Sequence, residues 1–484
     1  MILSLKAGYA LGMHVLNRYF VFLCIFILMI STHAFSSTDE SLTWTIDKTT
    51  EIIKPQSITD LEVYDRSVAV LKNFSAYDSS QSQSYINDIA SVNSAAEIAQ
   101  ILKWFDPIGQ FQKMINLSKT EIQIFKDINS KKNIELNFHL PQNFETSQKQ
   151  NLENLSSANF IMQSAQPLQG LKIAIDPGHM GGTFWDRETG KHVNDGSGHE
   201  LSEGLLNLQT AILLKVELEK RGAKVMLTRD DLRPVSNVDY KTFDLNTLAK
   251  EELSNSFHEN WFVNLIKSNS ISETLYKSFQ SSSSFKSLFS ESRRSEYFIK
   301  RIDLYARAEM MDVFLPDLVL IIHYDTASDK AGVSAQSPHQ TKSFVFGGYE
   351  QNEMGSPNSR KYLVRHLLDK KSWQGSVHLS RSIVKSLNKN LQLNLATSAD
   401  SGAKFIEPGI FARNLVVPRQ MKTSAAIAYL ECLFYDREDD FQKLIQKDHD
   451  LLIGNQKTYY SDYLLKIVSS ITEGVVQYSA NASR

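Results

Sequence analysis

The stretch Leu171–Arg229 constrains the fold most, because its hydrophobic period changes from that of a strand to that of a helix within one unit. Alternating apolar residues in Leu171–Ile175 predict a short buried strand, which Pro177 and Gly178 end sharply. His179 therefore follows the carboxyl end of a strand, the edge at which open α/β sheets bind their ligands. This pattern indicates an α/β fold with a candidate binding residue at a strand end.

A helix follows a loop rich in Gly and Asp, and it begins at Glu203 with Ser202 as the candidate N-cap. Gly222 ends the helix, and Ala223–Thr228 predicts a second strand. The apolar period predicts a buried helix face made of Leu205, Leu208, Ile212, Val216 and Leu218. The stretch is thus a strand–loop–helix–strand unit with a His at the strand end and a Glu at the helix start.

Three separated pieces of this unit carry a resemblance to a known family. They are a strand ending in DPGH, a helix of pattern E-x-x-x-N-L, and the run G-x-x-V-x-L-T-R. The matching residues are Asp176, Pro177, Gly178 and His179, then Glu203, Asn207 and Leu208, then Gly222, Val225, Leu227, Thr228 and Arg229. In this order they resemble the zinc-dependent N-acetylmuramoyl-L-alanine amidases of the amidase_3 type, which trim bacterial peptidoglycan. DPGH alone would be a weak signal, but three pieces in order make the resemblance specific.

The resemblance continues through the second half of the chain. The run Asp317–His323 is apolar almost throughout, which predicts a strand buried on both faces, and it places His323 on the family's second His. Ala425–Glu431 is similar to the family's last core strand, so Glu431 falls on the catalytic Glu. Arg413 ends a segment similar to a loop of the family that also ends in Arg.

The chain also departs from the family pattern. Tyr324, Asp325 and Thr326 replace the family's Ala-Asn-Ala, and Leu433 replaces a Gly. Two inserts, at 231–300 and 350–375, interrupt the domain. The first is interpreted either as a surface excursion or as a lid or partner-docking element. The second lies where some family members carry a helix that blocks the site, so a carboxylate such as Glu350 or Glu353 is a candidate plug.

The resemblance implies an α/β fold with a mixed, mostly parallel sheet flanked by helices, covering residues 170–480. Residues 35–150 precede it as a mainly helical accessory region, and 151–169 are interpreted as a linker because Asn, Gln and Ser dominate there. Helical spacing of apolar residues supports helices within the accessory region, namely over Leu61–Asn73, Ile86–Phe105 and Phe111–Ile128.

The N-terminus predicts a signal peptide over residues 1–34. Basic residues precede the uncharged run Tyr19–Ile30, and Ala34 ends a small-residue cleavage segment. The apolar core is shorter than the ~20 residues of a spanning helix, so an uncleaved anchor is the second interpretation, and no other segment predicts a membrane span. With Cys24 removed, Cys432 would be the sole cysteine, which excludes a disulfide framework. These features favour the bacterial periplasm, and a net charge of −2 argues against a nucleic-acid partner.

The resemblance implies that His179, Glu203 and His323 bind Zn²⁺, with Glu200 as a competitor of Glu203. Two His and one Glu are a known ligand set for catalytic zinc, which polarises a carbonyl and lowers the pKa of its water. Glu431 would then act as general acid and base on the water. The roles of two further residues stay open: Asp176 orients His179 or fixes its turn, and Arg413 binds a peptide carboxylate or the oxyanion.

Each of these residues also has a structural interpretation when it is taken alone. His179 could be a loop residue, Glu203 a first-turn carboxylate, His323 a core residue, and Glu431 the partner of Arg413 in an ion pair. Taken together and in order they predict a secreted zinc hydrolase that cleaves the amide between N-acetylmuramic acid and L-alanine in peptidoglycan. The alternatives are a zinc peptidase acting on stem peptides and a catalytically silent wall-binding or regulatory protein.

Overall fold

The structure is a computed structural model that describes residues 93–107, 113, 115–118, 121–125, 134–139, 166–180, 192–236, 298–327, 332–349, 365–400 and 402–482. In chain order its strands are β1 Ile115–Leu117, β2 Glu121–Phe125, β3 Ile134–His139, β4 Lys172–Pro177, β5 His192–Asn194, β6 Glu200–Ser202, β7 Lys224–Leu227, β8 Leu318–Asp325, β9 Gln340–Phe346, β10 Asn394–Leu395, β11 Ala403–Glu407, β12 Ile410–Arg413, β13 Ala426–Phe434, β14 His449–Ile453 and β15 Gln456–Tyr460. Its α-helices are α1 Ala95–Phe105, α2 Glu203–Lys220, α3 Leu304–Phe314, α4 Ser376–Leu391, α5 Val416–Gln420, α6 Glu438–Leu444 and α7 Asp462–Ala482. Two π-helices, Phe298–Asp303 and Lys371–Gly375, precede α3 and α4.

An eight-stranded sheet forms the centre of the fold, in the order β11-β12-β9-β13-β8-β4-β7, with β10 paired to β9. Strands β7, β4, β8 and β13 are mutually parallel, β9 is antiparallel to β13, and β10 and β12 are parallel to β9. This mixed, mostly parallel sheet with helices packed on it confirms the predicted α/β fold class.

The sheet is buried on both faces, as the apolar run of β8 predicts. Leu318, Leu320 and Ile322 pack in the cluster that includes α2, α4 and α7. Val319 and Ile321, which alternate with them, pack in the cluster that includes α3 and α5. The alternation also decides where the polar residues at the end of β8 point, because successive side chains lie on opposite faces.

The carboxyl ends of β4, β8 and β13 lie at one edge of the sheet, here called the rim. In the register of β8 and β13, His323 lies beside Glu431, so both side chains project from the same face. Because β9 runs the other way, its first residues lie at the rim, and Lys342 is the Cα partner of Glu431. Three neighbouring strands therefore place a His, a Glu and a Lys side by side.

Helix α1 packs against strands β9 and β12 of the same sheet. Its buried residues form one cluster with residues of β9, β12 and α4; these α1 residues are Ile98, Ile101, Leu102 and Phe105. Gly348 N donates to Trp104 O at 2.8 Å, Tyr349 N donates to Phe105 O at 3.0 Å, and the rings of Trp104 and Trp373 stack at 5.9 Å. The helix is thus a covering layer of the central sheet.

One prediction about the region before β4 is wrong. The helix predicted over Phe111–Ile128 is instead β1 and β2, which pair with β3 in an antiparallel three-stranded sheet, so the described part of this region is not mainly helical. Strand alternation in Glu121–Phe125 outweighs the helical spacing that longer windows suggest. Leu168, near the end of the predicted linker 151–169, is fully buried in the core. Composition does not show this, because Leu168 is a single apolar residue in a polar run.

Several predictions fall on parts of the chain outside the described residues. These are the signal peptide, the helix over Leu61–Asn73, most of the insert 231–300, and Glu350 and Glu353. Within the described ranges, none of the helices is both long enough and apolar enough to cross a membrane.

Candidate metal centre

His179, Glu203 and His323 lie together at the rim, and they come from three different elements. His179 follows β4, Glu203 is the first residue of α2, and His323 lies near the end of β8. Nε2 of His179 is 3.3 Å from Oε2 of Glu203, and Nδ1 of His323 is 3.0 Å from Oε1 of Glu203. One ligand atom from each of the three lies within 4.8 Å of the others. The fold thus brings together three residues that the sequence analysis named and that are 24 and 120 positions apart along the chain (203 − 179 and 323 − 203).

The backbone at His179 adopts a left-handed conformation, with φ of 55°. A non-glycine residue rarely adopts this conformation unless its surroundings hold it there. Arg307, on α3, supplies that restraint: its Nη2 donates to His179 O at 2.6 Å and its Nη1 to Pro177 O at 2.7 Å. Gly178 is required at this turn, since a Cβ there would overlap the imidazole ring of His323.

A second buried arginine joins the turn that carries His179 to the start of α2, which carries Glu203. Arg229 donates from Nη2 to Gly178 O at 2.9 Å and to Gly204 O at 2.8 Å. Asn207, one turn along α2, donates to the same Gly178 O at 3.0 Å. Burial, followed by repulsion from Arg307, lowers the pKa of Arg229 to about 9, so the guanidinium stays charged at neutral pH.

Asp176 fixes this turn from below. Its Oδ1 accepts from Thr228 Oγ1 at 2.5 Å and from Arg307 Nη1 at 3.0 Å. Asp303 completes the network, because Arg307 Nε donates to it at 2.7 Å. Burial disfavours the charged guanidinium, but Asp303 and Asp176 together hold the pKa of Arg307 above its usual value. The contacts of Asp176 with Thr228 and Arg307 therefore favour the second predicted possibility, in which Asp176 fixes the turn.

Tyr429 stacks on His323, with ring centroids 4.5 Å apart and an interplanar angle of 12°. Burial raises the pKa of the Tyr429 phenol well above its usual value, and the charges of Glu431 and Glu203 add to the effect. The ring is thus a neutral wall that limits how His323 can rotate. The sequence analysis missed Tyr429; its position two residues before Glu431, on the same strand face, is the signal that indicates it.

Glu431 lies beside His323 in the sheet register, on the face that carries the candidate ligands. A β-bulge follows it, between Glu431 and Phe434. Leu433, which departs from the family's Gly, lies in this bulge and is fully buried in the core. Tyr324 is also buried in that core, where its hydroxyl is 2.8 Å from Thr210 Oγ1. Both departures therefore face away from the candidate ligands and leave their geometry intact.

The remaining predicted residues lie farther from the centre. Arg413 ends strand β12 and is not in a loop; its register partner Phe346 lies four residues past Lys342, roughly 13 Å along the strand. Its guanidinium carbon is 5.4 Å from the Phe344 ring centroid, on the way back towards the rim. Glu200 faces His192 at 3.4 Å in the hairpin of β5 and β6, whereas Glu203 lies among the candidate ligands.

The donor set fits a zinc ion. A tetrahedral zinc with bonds of ~2.0–2.2 Å separates its donor atoms by roughly 3.4 Å. Nε2 of His179 and Oε2 of Glu203 are already 3.3 Å apart, and rotation of side chains would bring the third donor closer. Two imidazoles and one carboxylate leave the fourth position open, which is the composition of catalytic zinc sites.

Comparisons with known proteins gave matches only among solved structures. No family model matches the chain, and no curated protein matches its sequence. The Ami1 N-acetylmuramyl-L-alanine amidase of Mycobacterium abscessus aligns with a TM-score of 0.32 and 13% identity, over 64% of this chain and 99% of its own. The CwlD amidase of Clostridioides difficile, solved with the GerS lipoprotein, gives 0.34 and 15%, over 64% and 98%.

A third solved structure, the AmiC2 N-acetylmuramoyl-L-alanine amidase of Nostoc punctiforme, aligns with a TM-score of 0.30 and 12% identity, over 64% of this chain and 98% of its own. Similarity at this level does not carry a function over to this chain. The residues of the rim must therefore supply the functional argument.

Proposed function

We propose that this chain is a secreted zinc hydrolase that cleaves the amide bond between N-acetylmuramic acid and L-alanine in peptidoglycan. One observation carries the proposal: His179, Glu203 and His323 converge within 4.8 Å from three separate elements. These three residues would hold the zinc ion. When bound, zinc would polarise the scissile carbonyl and lower the pKa of water towards ~7.

Glu431 would supply the proton transfers of this reaction. It takes a proton from the attacking water as the oxygen bonds to the lactyl carbonyl carbon. As the carbon–nitrogen bond breaks, Glu431 returns the proton to the leaving nitrogen. The products are a lactyl carboxylate and a peptide with a free L-alanine amine. Support comes from the register, which places Glu431 beside His323 on the same face.

The substrate class rests on the resemblance of the sequence motifs. Arg413 is a candidate residue for binding that substrate. Its guanidinium lies over Phe344, on the sheet face that Tyr429 and His323 share. Because that guanidinium reaches back over Phe344 towards the rim, Arg413 keeps both predicted roles, binding of a peptide carboxylate and of the oxyanion. A periplasmic location and an activator that docks on an insert remain parts of the proposal.

The test is digestion of purified peptidoglycan by the chain from Phe35 onward, with mass analysis of the released products. We expect peptides that begin with L-alanine, their release to stop with a chelator, and activity to return with added zinc. Cuts within the stem peptide would instead support a zinc peptidase. Absence of both release and bound metal would contradict the enzyme proposal and favour a wall-binding protein.

A further inference from the structure

Lys342 is the one charged residue of strand β9, and its side chain is almost fully buried, with 2% exposure. Its Nζ is 2.5 Å from Oδ2 of Asp325 and 2.7 Å from Oδ2 of Asp400. Burial disfavours the ammonium, but the two carboxylates, Asp325 first, hold the pKa of Lys342 above its usual value. A buried lysine held in this way has a fixed position and a fixed charge.

The ion pair between Lys342 and Asp325 passes over a third strand. Lys342 belongs to β9 and Asp325 to β8, and β13 lies between those two strands. Nζ of Lys342 is 5.1 Å from the ring centroid of Phe434, the β13 residue that pairs with Asp325. The lysine side chain therefore crosses β13 at the bulge that follows Glu431.

This crossing lies where the sheet alone holds β13 least. A β-bulge leaves one residue outside the regular ladder, so backbone pairing is locally interrupted. Glu431 is the last residue of β13 in regular register with β8 before that interruption. It pairs with His323 on β8 and with Lys342 on β9. The second oxygen of Asp325 accepts from Thr326 N at 2.8 Å, which fixes the far end of the crossing.

We propose that Lys342 is a positioning residue that acts through Glu431: its ion pair with Asp325 clamps the end of β13 and so fixes the carboxylate of Glu431 at the rim. Asp400, 41% exposed and outside the strands, neutralises the ammonium without crossing β13. The catalytic consequence rests on the proposed function, whereas the clamping of the strand end does not.

The first measurement is amide hydrogen exchange over residues 430–434, which is independent of any activity. Lys342→Met removes the clamp, and we expect exchange there to become about tenfold faster, while exchange in β4 stays unchanged. Asp400→Asn is the matched control, because it removes one charge from the same ammonium but leaves the crossing pair; we expect no acceleration. Equal acceleration in both variants, or none in Lys342→Met, would overturn the proposal.

The second measurement uses the peptidoglycan assay. Lys342→Met should lower kcat by about 10–100-fold, as a shift of a reacting group by ~1 Å does, with KM and zinc content little changed. In a Glu431→Gln background the same substitution should cost no further activity, because its effect passes through Glu431. Additive losses would contradict the positioning role.

Two contingencies keep the inference testable. If Lys342→Met does not fold, Asp325→Asn breaks the same crossing from its other end and should give the same local exchange. If the parent chain releases no peptides, the proposed function fails, but the exchange measurement still decides whether Lys342 clamps β13.

Discussion

The two halves of the candidate site are held in place by different means. On one side, His179 and the start of α2 are fixed by buried arginine hydrogen bonds, from Arg307 and Arg229, to backbone carbonyls. On the other side, Glu431 is held by sheet register and, in our proposal, by one crossing ion pair of Lys342. The first half is a dense polar network and the second is a strand end next to a bulge.

This difference follows from what each half must do. Metal ligands have to hold their geometry without the ion, and the cost of a strained backbone is offset by several hydrogen bonds that only that backbone can accept. A general base holds no ion, so its strand end has only to be kept in position, and sheet register with one ion pair can do that. We therefore expect substitutions in the first half to change metal affinity, and substitutions in the second half to change kcat.

The largest expected effect comes from removing the base. Glu431→Gln keeps the shape of the side chain but cannot accept the proton, so kcat should fall by roughly 10²–10⁴-fold. Zinc content, measured by elemental analysis, should stay at the parent level. A variant that loses its zinc would show that Glu431 belongs to the metal-binding half, which would contradict the division of the site into two halves.

The next effect tests the arginine network. In Arg307→Lys the single ammonium cannot reach Pro177 O, His179 O and the carboxylates together, so zinc affinity should fall by about 10–100-fold. Competition with a chromophoric chelator measures this affinity. Arg221→Lys, on an arginine at the end of α2 that pairs with Glu217, is the matched control and should leave it unchanged. Unchanged zinc affinity in Arg307→Lys would show that the hydrogen bonds of Arg307 do not hold the metal ligands in place.

A smaller effect is expected from crowding the turn. Gly178→Ala adds a methyl group that overlaps His323, and relief of such overpacking costs ~1–3 kcal/mol, equivalent to roughly tenfold or more in zinc affinity. Gly332→Ala, whose added Cβ would meet no atom within 4 Å, is the control. Equal losses in both variants would point to a general effect of alanine.

The smallest effect concerns the ring behind His323. Tyr429→Leu removes the stacked ring, worth ~0.5–1.5 kcal/mol, so zinc affinity should fall by a factor of about 2–10. Tyr429→Phe keeps the ring, and because burial keeps the phenol neutral, activity at neutral pH should stay within about twofold of the parent. A large loss in Tyr429→Phe would mean that the hydroxyl itself contacts the substrate.

Sequence patterns predicted the elements of the rim well and the packing of helix α2 poorly. Val216, expected on the buried face, is 44% exposed, whereas Asn207 and Thr210 are fully buried. The helix is apolar nearly all round, so its period does not choose a face. The choice is made by polar contacts that periodicity does not contain, such as the hydrogen bond from Asn207 to Gly178 O. Buried polar residues that serve a site break the simple rule that apolar residues mark the core.

Lys342 shows a second limit of sequence-based prediction. Nothing near it in sequence explains a buried lysine in β9, since its partners Asp325 and Asp400 lie 17 and 58 positions away (342 − 325 and 400 − 342). Glu431 could be placed by its motif, but the residue that lies beside it depends on β9 running antiparallel to β13. Strand direction within a mixed sheet is a property of the whole topology, and local patterns do not encode it.

Helix α1 has a consequence for the order in which the chain can fold. Its contacts are among the most distant in sequence: Asn93 donates to Leu367 O across 274 positions, and Gln374 donates to Glu97 across 277. Contacts of such separation form late, because closing long loops is entropically unfavourable and the partners are synthesised more than 270 residues later. The apolar side of α1 therefore stays exposed until β9, β12 and α4 have been made, and transiently exposed apolar surface of this kind is prone to aggregation.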